Sequence, residues 1–134
     1  DFSNLKVLNR YNNVHIIPFT EDMDIFYSAA DLVVSRAGAM ALSEMALLGK
    51  AMVLIPLPHS AGGHQTTNAQ TFVQAGGAIL VHQNSLASGF LEKKILQLIF
   101  DAERIDTMEK DSKKNGIPNA TENITTVIME LAKN

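Results

Sequence analysis

The stretch Leu32-Val33-Val34-Ser35-Arg36-Ala37-Gly38-Ala39-Met40-Ala41-Leu42-Ser43-Glu44 decides the reading of this chain. An uninterrupted apolar run is followed by a short glycine-containing turn. Ala39 to Leu48 then reads as a helix stopped by Gly49. A strand without polar alternation is buried on both faces, as in a parallel sheet covered by helices on either side.

The same alternation continues outward in both directions. Val14-His15-Ile16-Ile17 predicts a strand closed by Pro18, and Asp22 to Ala30 a helix with Met23, Phe26, Tyr27 and Ala30 on one face. Met52-Val53-Leu54-Ile55 predicts a strand closed by Pro56 and Pro58, Gln65 to Ala75 a helix closed by Gly76-Gly77, and Ala78 to Val81 a strand. Three helices are expected after that, at about Ser88–Phe100, Glu103–Lys114 and Thr121–Lys133, with Gly116 and Pro118 between the last two. The order βαβαβαβ followed by helices predicts an α/β fold, the later part of a Rossmann-like, doubly wound parallel sheet. Ligands of such sheets bind beyond the carboxyl ends of the strands. Functional residues are therefore expected just after Ile17, Val34, Ile55 and Val81.

Composition sets the outer bounds. At 134 residues the chain is one domain's length and long enough for a core without a disulfide or metal staple. It is 46% hydrophobic, which excludes disorder, and carries 11 basic against 14 acidic residues, which argues against nucleic acid as a partner. There is no Cys, so disulfides, thiolate metal sites and cysteine nucleophiles are excluded. No apolar run is long enough to span a bilayer, and a cytoplasmic location is expected. The chain starts with Asp1 rather than Met, and its charged fraction of 19% is low. Both features suggest part of a longer protein, with some surface covered by a further domain.

The turns hold the candidate chemistry. In Ser35 to Met40, Gly38 is expected to take a positive φ and let a ligand reach the backbone. The free amides of Ala39, Met40 and Ala41 at the helix start would suit a phosphate, unless this is simply a tight strand-to-helix turn. Glu44, one to two turns into the helix, could accept hydrogen bonds from both hydroxyls of a ribose, or stand as a solvated carboxylate. The loop from Pro56 to Gln65 is long, polar and glycine-rich. Gln65 and Asn68 offer amides of the kind sugar hydroxyls need, and for Asn68 a structural bond to loop backbone is as reasonable. His59 and His64 have no third ligand type near them in sequence, so no metal site and no cofactor are expected. Phe19-Thr20 could present backbone to a base, or serve as staple and cap for the helix that follows, with Thr20 or Glu21 capping. No residues form an evident catalytic pair.

Several of these stretches together resemble a known family. They are Pro18 to Met23, Ala30 to Glu44, Gly49, Ile55-Pro56, and His64-Gln65-Thr66-Thr67-Asn68-Ala69. They are similar to the C-terminal domain of the family-28 glycosyltransferases, two-domain enzymes of the GT-B fold. The resemblance runs from about Val14 onward, and it is the Arg-Ala-Gly…Ser-Glu block combined with His-Gln-x-x-Asn-Ala that makes it specific. It implies the donor half of an inverting transfer of N-acetylglucosamine from UDP-N-acetylglucosamine to lipid I, giving lipid II in peptidoglycan synthesis. It implies uracil at Thr20, the diphosphate and ribose along Ala39, Met40, Ala41, Leu42, Ser43 and Glu44, and the sugar at Gln65. Arg36, Gly38 and Asn68 complete the implied substrate-binding set. Acceptor, candidate base and peripheral membrane contact are implied for a separate N-terminal domain, so residues 1–134 would be a donor-binding domain without a catalytic residue of their own. Two departures stand out: Ala41 where the family usually has Thr, and Ala51 where Pro is common. The alternatives are a non-catalytic nucleotide-sugar-binding subunit that needs a partner chain, and, more remotely, a UDP-sugar epimerase. The His64-Gln65 loop offers no acid/base carboxylate for the latter.

Overall fold

A computed structural model describes residues 2–133. Its element order is α1 (Phe2–Leu5), a 3-10 turn (Lys6–Arg10), α2 (Met23–Ala29), β1 (Leu32–Ser35), α3 (Ala39–Leu47), β2 (Ala51–Leu54), a second 3-10 turn (Ala61–Gly63), α4 (His64–Gln74), β3 (Ala78–Leu80), a third 3-10 turn (Gln83–Ser88), α5 (Phe90–Ile99), α6 (Ala102–Lys113) and α7 (Ala120–Leu131).

The three strands form one parallel sheet in the order β1-β2-β3, with Leu32 opposite Ala51 and Met52 opposite Ala78. β2 is buried along its whole length, as its unbroken apolar run requires. Its alternate side chains feed two separate cores. Met52 and Leu54 pack with Tyr27, Leu42, Met45 and Ala69, under α2, α3 and α4. Ala51, Val53 and Ile55 pack with Val81, Leu98 and Met108, under α5 and α6. The result is the helix–sheet–helix sandwich expected of a doubly wound domain.

One expected strand is not formed. Residues 14–17 belong to no strand, and β1 is an edge strand whose Val34 is 42% exposed. A strand exists only through a neighbour's hydrogen bonds. Here the backbone N–H and C=O of Ile16 are both taken by the Asn9 carboxamide instead. The short helical start at Phe2–Arg10 that carries Asn9 has no apolar period, and the sequence reading missed it.

Two helix ends are set by glycine. After α3, Gly49 takes φ +65°, Gly49 N–H donates to Ala46 O and Lys50 N–H to Met45 O. After α4, Gly76 takes φ +90°, and Gly77 N–H donates to Phe72 O. Both patterns satisfy carbonyls at a helix end that lack an intrahelical partner. Lys50 then reaches back to the C-terminal carbonyls of α2, donating to Ser28 O at 3.2 Å and Ala30 O at 3.1 Å. A cation at that end complements the helix dipole and ties α2 to the start of β2.

Among the described residues one buried side-chain polar atom is unmatched. Ser112 on α6 is fully buried, and its Oγ has no hydrogen-bond partner. An unpaired buried hydroxyl costs about 1–3 kcal/mol. Ser112→Ala is therefore expected to raise stability by up to about 1 kcal/mol, after loss of packing around one atom. Chemical denaturation of the two proteins checks this, and a clear loss of stability would show that the hydroxyl is paired in solution.

Candidate nucleotide-sugar site

The carboxyl ends of β1, β2 and β3 open onto the Ser35–Gly38 turn, the Pro56–Gly63 loop and the third 3-10 turn. At the first of these, α3 begins with Gly38 as its N-cap, and the first helical hydrogen bond is Leu42 N–H to Gly38 O at 3.0 Å. The amides of Ala39, Met40 and Ala41 precede that bond, and no side chain caps them. Gly38 does not take the positive φ expected of it: φ is −70° and ψ 138°, open to any residue. A Cβ added there would meet no atom within 4 Å, so the approach to this turn is open. The uncapped amides and the open approach leave backbone N–H groups and the positive end of the helix dipole accessible, the arrangement that suits an anion. Met40 beside it is 80% exposed.

The other residues of this turn divide by environment. Leu42 is 2% exposed and packs in the core, and its amide is already bonded, so it lies on the inner side of α3. The Ser43 hydroxyl donates to Ala39 O at 2.9 Å, which leaves its lone pairs outward. Asn68 Nδ2 donates to Ala37 O at 3.2 Å and so braces the turn just before Gly38. That is the backbone-bracing role the sequence left open for it. A shallow depression of about 200 Å³ runs along this side, lined by Ala39, Leu42, Ser43, Asn68, Thr71 and Phe72.

Glu44 is exposed on α3, on a cleft of about 380 Å³ between α2 and α3 that is also lined by Glu21, Met23, Asp24, Tyr27, Leu47 and Leu48. Tyr27 borders both this cleft and the core. Burial first, and the Glu44 charge second, hold its phenol above the ordinary value of 10.0, so it remains a neutral hydroxyl. On sequence grounds Tyr27 was only a core residue of an amphipathic helix, and nothing in the spacing revealed its second face. Thr20 lies at the entrance to α2. Its Oγ1 accepts from Asp22 N–H at 3.0 Å, while Asp22, rather than Thr20 or Glu21, is the N-cap. Thr20 orders the entry loop without capping the helix.

In the second loop, Gly62 and Gly63 both adopt left-handed backbone, turning the chain sharply into α4. A side chain on Gly62 would also meet the His64 ring, 3.0 Å from Nε2. Gln65 is partly committed: its Oε1 accepts from Leu57 N–H at 3.0 Å, and its own N–H donates to Ser60 Oγ at 3.3 Å. Nε2 remains as the donor it can present outward. Among the described residues no three His, Asp or Glu side chains gather as metal ligands.

Arg36 lies across the strand ends. Nη1 donates to Ile55 O at 3.1 Å and to Gln83 Oε1 at 2.7 Å, which joins all three loops. The placement rule for parallel sheets pointed to the segment after Val81, but no residue type there drew attention to Gln83.

The loops at the carboxyl edge of this sheet are those of a doubly wound α/β domain, and the comparisons with known proteins give the family. The model of the glycosyltransferase family 28 C-terminal domain matches residues 1–124, and the chain belongs to that family. It is 39% identical over 98% of its length to a Flavobacterium psychrophilum protein named "UDP-N-acetylglucosamine--N-acetylmuramyl-(pentapeptide) pyrophosphoryl-undecaprenol N-acetylglucosamine transferase", covering 36% of that protein. A Chlorobaculum parvum protein of the same name is 41% identical over 87% of this chain, which covers 32% of it. The crystal structure of Acinetobacter baumannii MurG superposes with a TM-score of 0.80 at 31% identity, over 88% of this chain and 35% of that one. The chain thus spans about a third of the length of these relatives.

Proposed function

We propose that this chain is the UDP-N-acetylglucosamine-binding domain of an inverting glycosyltransferase that makes lipid II from lipid I in peptidoglycan synthesis. The observation that supports this best is the open, uncapped start of α3, with Glu44 one to two turns further along, in a chain of the family-28 C-terminal domain. The amides of Ala39, Met40 and Ala41 hold the diphosphate. Charge grows on that group as UDP leaves, so fixed N–H dipoles favour the transition state over the ground state. Glu44 takes the ribose hydroxyls, backbone at Thr20 takes the uracil edge, and Gln65 reads the sugar. Acceptor binding, the catalytic base and peripheral contact with the inner face of the cell membrane belong to an N-terminal domain of the longer protein. Among the described residues no helix is long and apolar enough to cross a membrane. Calorimetric titration of the chain with UDP and UDP-N-acetylglucosamine tests the reading, and failure of both to bind would sink it. A subunit that relies on a separate acceptor chain is distinguished by the coding sequence upstream.

Gln65 carries a specific prediction. With one lone pair of Oε1 taken by Leu57 N–H, Nε2 is the main group left to meet the sugar, so Gln65→Ala is expected to reduce the preference for UDP-N-acetylglucosamine over UDP-N-acetylgalactosamine by about 1 kcal/mol. UDP affinity stays nearly unchanged. Parallel titrations with UDP and the two UDP-sugars check it; loss of UDP affinity with intact sugar preference would move Gln65 to the nucleotide.

A further inference from the structure

We infer that Gln83 is a positioning residue for the donor diphosphate, acting through Arg36; this rests on the UDP-sugar reading above. In the segments that follow the three strands, residues 35–38, 55–65 and 81–85, Arg36 is the only Lys or Arg. It is the one permanent positive charge that these three segments carry. A free arginine side chain samples many rotamers, and ordering it opposes binding. Here the order is built in. The two protons of Nη1 go to Ile55 O and Gln83 Oε1, and Nη2 and Nε keep three N–H donors without a hydrogen-bond partner among the described residues. A neutral amide is suited to this task. It restrains the guanidinium at 2.7 Å without cancelling its charge, whereas a carboxylate at the same place would pair with it. Among the described residues the Gln83 side chain hydrogen-bonds only to Arg36, so its effect on a ligand runs through the cation.

The test uses the whole 134-residue chain, with Gln83→Ala and Gln83→Glu, titrated with uridine and with UDP at two salt concentrations. Gln83→Ala is expected to lower UDP affinity roughly three- to tenfold, the worth of one hydrogen bond, with uridine affinity unchanged. Gln83→Glu, nearly isosteric, is expected to lower it further and to flatten its salt dependence, because the ion pair removes the charge the diphosphate meets. Parent-like UDP affinity in both variants, or an equal loss for uridine and UDP, overturns the inference. A parent chain that does not bind UDP at all overturns the reading beneath it as well, which separates the two failures.

Discussion

Glu44→Ala is expected to weaken UDP binding by about 1–3 kcal/mol, the range for charge-assisted hydrogen bonds, while barely moving the melting temperature. The carboxylate stands exposed at the α2–α3 cleft and has no hydrogen-bond or salt-bridge partner among the described residues. Removing it therefore breaks nothing that holds the fold, and alanine is the better helix former. The binding loss has a geometric basis. Glu44 is on the same helix as the free amides of Ala39 to Ala41, so a nucleotide whose phosphates sit at the helix start extends its ribose along α3. One ionised carboxylate can then accept from both vicinal hydroxyls. Calorimetry with UDP, and separately with 2′,3′-dideoxy-UDP, checks this. The analogue should bind parent and variant alike, and equal UDP affinity in the two proteins would remove Glu44 from the site.

Gly77→Ala is expected to have the largest effect on stability, about 3 kcal/mol, at the upper end for an overpacked core. The added Cβ would lie 2.7 Å from Ser112 Cα, 2.8 Å from Ser112 N and 2.9 Å from Ser112 Cβ. Two of those atoms are helix backbone, so no rotamer change relieves the clash. Gly77 cannot retreat either. Its N–H closes the end of α4 on Phe72 O, and its O accepts from Met52 N–H in the central strand at 3.2 Å. Moving it disturbs α4, β2 and α6 together. Because Gly77 precedes β3 and the candidate site follows it, the folded fraction should bind UDP as the parent does. Urea unfolding with a titration below the transition tests both parts, and a parent-like midpoint would show that α6 yields at no cost.

The candidate site was legible to different depths. The Gly38–Glu44 turn was readable because a strand, a glycine and a helix start are local in sequence, and an uncapped helix start exposes amides wherever it occurs. Gly38 itself was misread: a glycine in a turn suggests a special backbone position, but the fold gives it a conformation any residue adopts and room for a Cβ. Asn68 and Gln65 were readable as amides near a loop, yet not by partner. Ala37 is 31 residues from Asn68, and such long-range hydrogen bonds leave no spacing signal. Arg36–Gln83, 47 residues apart, was hidden for the same reason.

By itself the sequence determined the alternation of elements, because hydrophobic period and glycine stops act within a few residues, whereas the place of β2 in the middle of the sheet follows only from which strands pair. Only tertiary structure decided whether residues 14–17 form a strand. That segment has the right residues, but a strand is defined by a neighbour, and its central residue is bonded to the Asn9 side chain instead. Tertiary structure alone also decided which polar groups remain free at the strand ends, since that depends on which distant partners have already claimed the rest.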